Sequence, residues 1–242
     1  MKKTIKNVVF TLLMLSLGIS TALLAYLRFF ALDEDSLSGE WTASLDMTEQ
    51  AVVTAFSWLQ DIEGVSVSLE DVQSNMPRLT VQVNLSFEQT GRSAGSFQSN
   101  VSPESYDVCR QTAYEAFAGT FQEILAERLR MAGYTGSMDE EALEALVTET
   151  FGMSTDAYLA SYAPGLLPSL EELQAQYDGS GTFETAEDIL TRQFEDGAVT
   201  TRVESYICND SSLILIEELG SVPADFSSDD YPVIYTLKQP TD

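Results

Sequence analysis

Between Leu79 and Glu88 the chain alternates without a break: Leu79, Val81, Val83, Leu85 and Phe87 are apolar, and Thr80, Gln82, Asn84, Ser86 and Glu88 between them are polar. A period of two puts all five apolar side chains on one face of a strand and leaves the other face in water. That is the unit of a sheet with one wet face, and the rest of the chain is read around it.

Before it, Gly39-Glu40-Trp41-Thr42-Ala43-Ser44-Leu45-Asp46 alternates Trp41, Ala43 and Leu45 with polar residues and predicts a first strand. A helix is expected from Asp46, a cap with Glu49 three residues on, to Ile62, ending at Gly64. After the central strand, Thr90-Gly91-Arg92-Ser93 supplies turn residues, and Gly95 to Val101 returns as a partner carrying Phe97 inward.

Ser102-Pro103 reads as N-cap and first position of a long helix running to about Ala132 and stopped by Gly133. Its apolar line is Tyr106, Cys109, Ala113, Phe117, Phe121, Ile124, Leu125 and Leu129. Ser137 with Glu140 is a capping box for a second helix, stopped at Gly152, and Ser154 to Tyr162 adds a short third. Ser169 with Glu172 opens a last helix, ending near Asp178-Gly179.

The period then returns to two. Gly181 to Glu184, Ile189 to Phe194, Val199 to Ile207, Leu213 to Leu219 and Val233 to Leu237 read as strands, with hairpin signals at Asp196-Gly197 and Asn209-Asp210-Ser211. The expected fold is α+β: an antiparallel sheet of about eight strands, closed or open as a barrel, with a large helical insertion at about 103–178.

Gly39-Glu40-Trp41 at the first strand resembles the Gly-x-Trp signature of the lipocalin and calycin group. The tail from Gly181 to Leu215 is similar to the closing hairpins of bacterial lipocalin-like envelope proteins. The resemblance covers the first strand and the last sixty residues, leaves the helical block outside, and lacks the family's lipid-anchoring cysteine. It implies a structural role for Gly39 and Trp41, with Trp41 plugging one barrel end, and ligand contacts from inward-facing residues that it does not name.

Val8 to Leu27 carries no Asp, Glu, Lys or Arg. At about 1.5 Å per helical residue these twenty residues reach ~30 Å, the thickness of a bilayer core. Lys2, Lys3 and Lys6 precede the run and Asp33, Glu34 and Asp35 follow it, which orients the N-terminus to the cytoplasm. A retained signal-anchor over 8–30 is preferred, between a cytoplasmic tip at 1–7 and a juxtamembrane linker at 31–38, with an extracytoplasmic domain over 39–242. A cleaved signal peptide and a buried core helix remain as alternatives.

All 38 acidic residues lie after Leu32, with only eight of the 12 basic ones, so this part of the chain carries a net charge of −30 and Lys238 is its only lysine. Such a surface repels phosphate backbones, which argues against nucleic-acid partners. No loop has calcium-site spacing, and Asp33-Glu34-Asp35 and Asp229-Asp230 read as solvated charge. The chain has no histidine, which removes His-based triads and most zinc sites.

No catalytic residue, cofactor or metal site is therefore assigned, and a carboxylate-based hydrolase is left open without a chosen pair. Cys109 and Cys208 could form at most one intrachain disulfide; two thiols are preferred. The Asn-x-Ser triplets at Asn84, Asn100 and Asn209 are taken as incidental in a bacterial chain. Two functions are expected. The first is a membrane-anchored lipocalin-like module binding a small apolar ligand or an envelope protein; the alternative is a structural or interaction component of the envelope with no small-molecule ligand.

Overall fold

Eight strands close into an antiparallel barrel in chain order, each beside the next. They are β1 (Gly39–Asp46), β2 (Thr80–Gln89), β3 (Ala94–Val101), β4 (Gly179–Ala186), β5 (Ile189–Phe194), β6 (Thr201–Cys208), β7 (Ser212–Glu218) and β8 (Val233–Leu237). The ring shuts where the Lys238 amide donates to the Glu40 carbonyl at 2.7 Å. The structure, a computed structural model, describes residues 14, 17–22, 36–60, 67–131, 133–137, 139–160, 165–195, 200–219 and 231–238.

Among the described residues, α1 (Thr48–Gln60) and α2 (Leu69–Asn75) lie between β1 and β2. Between β3 and β4 the described residues form α3 (Pro103–Met131), α4 (Glu140–Phe151), α5 (Thr155–Ala160) and α6 (Leu170–Tyr177). The chain divides into two compact units, one from the described residues of Met1–Trp41, Leu85–Gln98 and Gly179–Asp242, the other from those of Thr42–Asn84 and Ser99–Asp178.

The eight strands fall where the alternation predicts them, because each carries its own period of two. β2 buries Val81, Val83, Leu85 and Phe87 and turns the residues between them outward. In β7, Leu213 and Leu215 are buried and Ile214 faces out. The β6–β7 register shifts between Ser205 and Tyr206, leaving Ile216 as the extra residue of a bulge.

Local capping explains most helix ends. Ser169 accepts from the Glu172 amide while Glu172 reaches back to the Ser169 amide, so both arms of the expected box are present on α6. α4 differs from expectation: its N-cap is Asp139, whose carboxylate accepts from the Ala142 amide. Ser137 instead donates its hydroxyl to Asp139, because a carboxylate placed next to the helix competes better for the free amides than a hydroxyl two residues earlier. Gly152 ends α4 at φ 73°, a conformation that glycine adopts at no steric cost.

α2 was not expected. It is one short segment with its own box, Ser68 with Asp71, in which Asp takes the place of the usual Glu or Gln. On α3 the buried stripe runs through Tyr106, Cys109, Ala113, Phe117 and Phe121 as expected, then passes to Ala126 while Ile124, Leu125 and Leu129 are half-buried. α2 and α4 both pack on α3, so its covered surface is not a single line.

Most of the expected signal-anchor, the Asp196-Gly197 turn and the acidic stretches at 33–35 and 229–230 lie outside the described residues. Among the described residues no helix is long and apolar enough to cross a membrane.

Candidate functional site

Alternation carries three charges into the first unit. On β5 the inward parity set by Leu190 continues to Arg192 and Phe194; on β6 it takes Arg202, Glu204 and Tyr206. Antiparallel pairing then sets Arg192 opposite Arg202 and Leu190 opposite Glu204. Arg192 is 4% exposed and Glu204 0%.

The two groups meet in a fork. Arg192 Nε donates to Glu204 Oε2 and Arg192 Nη2 to Glu204 Oε1, each at 2.7 Å. Tyr231, just ahead of β8, donates its hydroxyl to Oε1 at 2.8 Å. Three charge-assisted donors thus converge on one carboxylate, the arrangement that makes a buried charge tolerable.

Aromatic rings wall the pair. The Arg192 guanidinium lies 5.5 Å from the Phe97 ring centre and 5.6 Å from that of Phe194, and Arg202 lies 5.6 Å from Phe194 on its own account. Phe97 and Phe194 meet edge to face at 5.1 Å, and Phe87 and Phe183 at 4.9 Å. Phe194 has room because Gly179 stands beside it: a Cβ there would fall 2.6 Å from its Cδ1. Each ring turns its negative face to a cation.

The surroundings shift the titrations. Burial alone would depress Arg192, but the Glu204 charge and hydrogen bonds outweigh it and hold its pKa above the usual guanidinium value. Burial first, then the Glu204 charge, pushes the Tyr231 phenol well up. Burial likewise raises Tyr235 to about 12, against the opposing charge of Arg192. These groups keep fixed protonation near neutral pH, and Glu204 spends its lone pairs on three internal donors. The cluster links β5 to β6, and both to Tyr231 ahead of β8.

Nine inward side chains around it are closely packed: Trp41, Leu85, Phe87, Phe97, Phe183, Leu190, Leu213, Leu215 and Tyr235 are each between 0% and 4% exposed. Among the described residues no buried side-chain nitrogen or oxygen lacks a hydrogen-bond partner, and no cluster of three His, Cys, Asp or Glu side chains could hold a metal ion.

The two residues singled out in sequence stand together at the start of β1. Trp41 points inward, 2% exposed, and donates its indole N–H to the Leu37 carbonyl at 2.8 Å. Gly39 has φ +144°, and a Cβ there would lie 2.7 Å from Leu237 Cδ1, so glycine is needed where β1 meets the end of β8. Cys109 and Cys208 are not joined in a disulfide. Burial raises the Cys109 thiol pKa, which makes it a poor nucleophile.

Among the sequons, Asn84 accepts from the Thr42 hydroxyl, and the Asn209 carboxamide accepts from the Ser211 and Ser212 amides in the β6–β7 turn. One surface groove of the second unit holds about 510 Å³ and is bordered by aromatic and apolar side chains, Tyr106, Tyr114 and Leu170, together with the charged Arg110 and Glu171.

Sequence reading missed Arg192, Arg202, Glu204 and Tyr231. The signal was present for the first three, since each shares the parity of Leu190 or Tyr206 and so had to point inward with them. Tyr231 had none, because it lies outside any strand.

No family model, curated protein or solved structure matches the chain.

Proposed function

We propose that the chain is a membrane-tethered, extracytoplasmic interaction module of the cell envelope, with a filled barrel as its scaffold and no small molecule inside it. One observation carries this reading: nine inward side chains of the first unit, Trp41, Leu85, Phe87, Phe97, Phe183, Leu190, Leu213, Leu215 and Tyr235, are at most 4% exposed. An eight-stranded barrel has an interior that either is filled by side chains or holds one small ligand, and these positions support the first condition. A lipocalin-like pocket for an apolar ligand would need space where Phe183, Leu190 and the Arg192–Glu204 pair now stand.

The tether rests on the uncharged run from Val8 to Leu27 and the basic residues ahead of it. The exterior charge of −30 makes nucleic acid and anionic lipid poor partners and favours a protein surface of opposite or neutral charge.

The test is chemical cross-linking in intact membranes of cells that make the chain, followed by native mass spectrometry of the purified full chain. A protein partner in stoichiometric yield and a bare chain mass are expected. An apolar molecule that co-purifies one to one would overturn the filled-scaffold reading. Recovery of the chain from the soluble fraction would overturn the tether.

A further inference from the structure

The outer face of the barrel changes character around its circumference. On β1 and β4 the outward residues are Glu40, Thr42, Ser44 and Asp46, then Ser180, Thr182 and Glu184. On β6 to β8 the outward positions hold isoleucine: Ile207 is 54% exposed, Ile216 40% and Ile234 57%, with Ile214 half-buried between them. Pairing aligns three of these in one row, Ile207 opposite Ile214 and Ile214 opposite Ile234. From Ser205 to Cys208, Ser212 to Ile216 and Val233 to Leu237, no outward position carries a charge.

Three adjacent strands spaced ~4.8 Å apart give a continuous apolar band, and in a chain this acidic such a band marks a contact surface. Its place on the barrel says what it touches. Ser212 pairs with Thr236, the Leu237 amide donates to the Ser211 carbonyl, and Leu237 flanks Gly39, where the chain enters β1. Ile234 is only three residues, ~10 Å, along β8 from that entry. Eleven residues lie between Leu27 and Gly39, a reach of at most ~40 Å. The row thus includes β8, one of the two strands that flank β1 at the end where the chain enters it.

We propose that the isoleucine row of β6, β7 and β8 rests on the neutral lipid surface of the bilayer that holds the N-terminal run; this deepens the tethered reading above and rests on it. The acidic Glu184 of β4, on the strand across the ring from β8, turns away from that surface. The occupant is zwitterionic lipid, because the surrounding carboxylates repel anionic head groups and do not repel neutral ones. Isoleucine side chains supply apolar area, and binding at the boundary between head groups and acyl chains grows with the apolar area buried there.

The experiment places the full chain in phosphatidylcholine nanodiscs whose acyl chains carry bromine near the head-group end, and reads tryptophan emission. Ile234→Trp and, separately, Ile207→Trp introduce the probe on the row; Thr182→Trp places it on the polar face of β4. The unsubstituted chain supplies the background from Trp41 and Trp58. Loss of most of the added emission from both row variants, with none from Thr182→Trp, is expected. Unquenched row variants in a chain that stays with the discs would overturn this contact and leave the tether standing. A chain that leaves the discs overturns the tether, and the contact with it. Row emission that is shielded but unquenched, in discs holding two chains, assigns the row to a second copy and also overturns the lipid contact.

Discussion

Arg192 and Glu204 meet on the diagonal between β5 and β6 through two parallel hydrogen bonds of 2.7 Å, with side chains 5% and 1% exposed. The pair is bidentate, dry and braced by Tyr231, so its two halves depend on each other far more than either depends on solvent. It also ties Tyr231, ahead of β8, to β6.

Removing one partner leaves the other charged and buried. Glu204→Ala is expected to cost about 3 to 5 kcal/mol, and Arg192→Met a similar amount, lowering Tm by roughly 10 °C in a chain of this length. The double variant Arg192→Met with Glu204→Leu should recover much of that loss, since an apolar pair of similar volume carries no desolvation cost. Urea unfolding followed by the emission of Trp41 and Trp58 measures all three, and a double variant no better than the singles would contradict the coupling.

Two buried phenols make the fold sensitive to alkali. Burial raises Tyr235 to about 12 and, with Glu204, raises Tyr231 further, whereas an unfolded tyrosine titrates near 10. A raised folded pKa gives stability that is whole below the unfolded value and disappears as pH climbs toward the folded one. The urea midpoint should therefore be insensitive to these groups below about pH 10 and fall steeply from there to about pH 12. Tyr235→Phe should flatten that fall, and an unchanged slope in the variant would show that Tyr235 is not the group responsible.

How much of this could be read from the chain depended on range. β2 and β8 were legible because their period is local, and the α6 box because Ser169 and Glu172 are three residues apart. α2 escaped because Asp71 stands where a box is usually recognised by Glu or Gln. The Arg192–Glu204 pair escaped for a deeper reason. Parity alone put both side chains inside, but that they meet depends on the β5–β6 register, which the partner strand sets. The isoleucine row likewise exists only once three strands are aligned.

Glycines in this chain divide into those that hold a contact and those that do not. A Cβ at Gly181 would strike the Gln193 carbonyl on the paired strand β5, whereas one at Gly119, exposed on α3, meets nothing within 4 Å. Gly181→Ala is expected to force β4 and β5 apart at a cost of about 1 to 3 kcal/mol. Gly119→Ala is expected to stabilise by up to about 1 kcal/mol, through helix propensity alone. Opposite shifts in the urea midpoint check the pair; a destabilising Gly119→Ala would mean that α3 is covered there by something else.

Asp178 ends α6 and accepts from the buried Val101 amide at 2.6 Å. Burial raises its pKa, and the Val101 hydrogen bond opposes that only in part. With a folded pKa above the unfolded one, its contribution is whole at acid pH and is lost as pH rises through the carboxylate range, so the ionised group is a cost at neutral pH. Asp178→Asn keeps a carbonyl oxygen for Val101 without the charge, and should be at least as stable as the natural chain at neutral pH. That advantage should shrink as pH falls below about 4, where Asp178 is itself neutral. Asp178→Ala, in contrast, leaves the Val101 amide unpaired and should lose about 1 to 3 kcal/mol at every pH. Urea midpoints at neutral and acid pH separate the three chains. An asparagine variant weaker than the natural chain at neutral pH would mean that the charge itself strengthens the bond to Val101 by more than its burial costs.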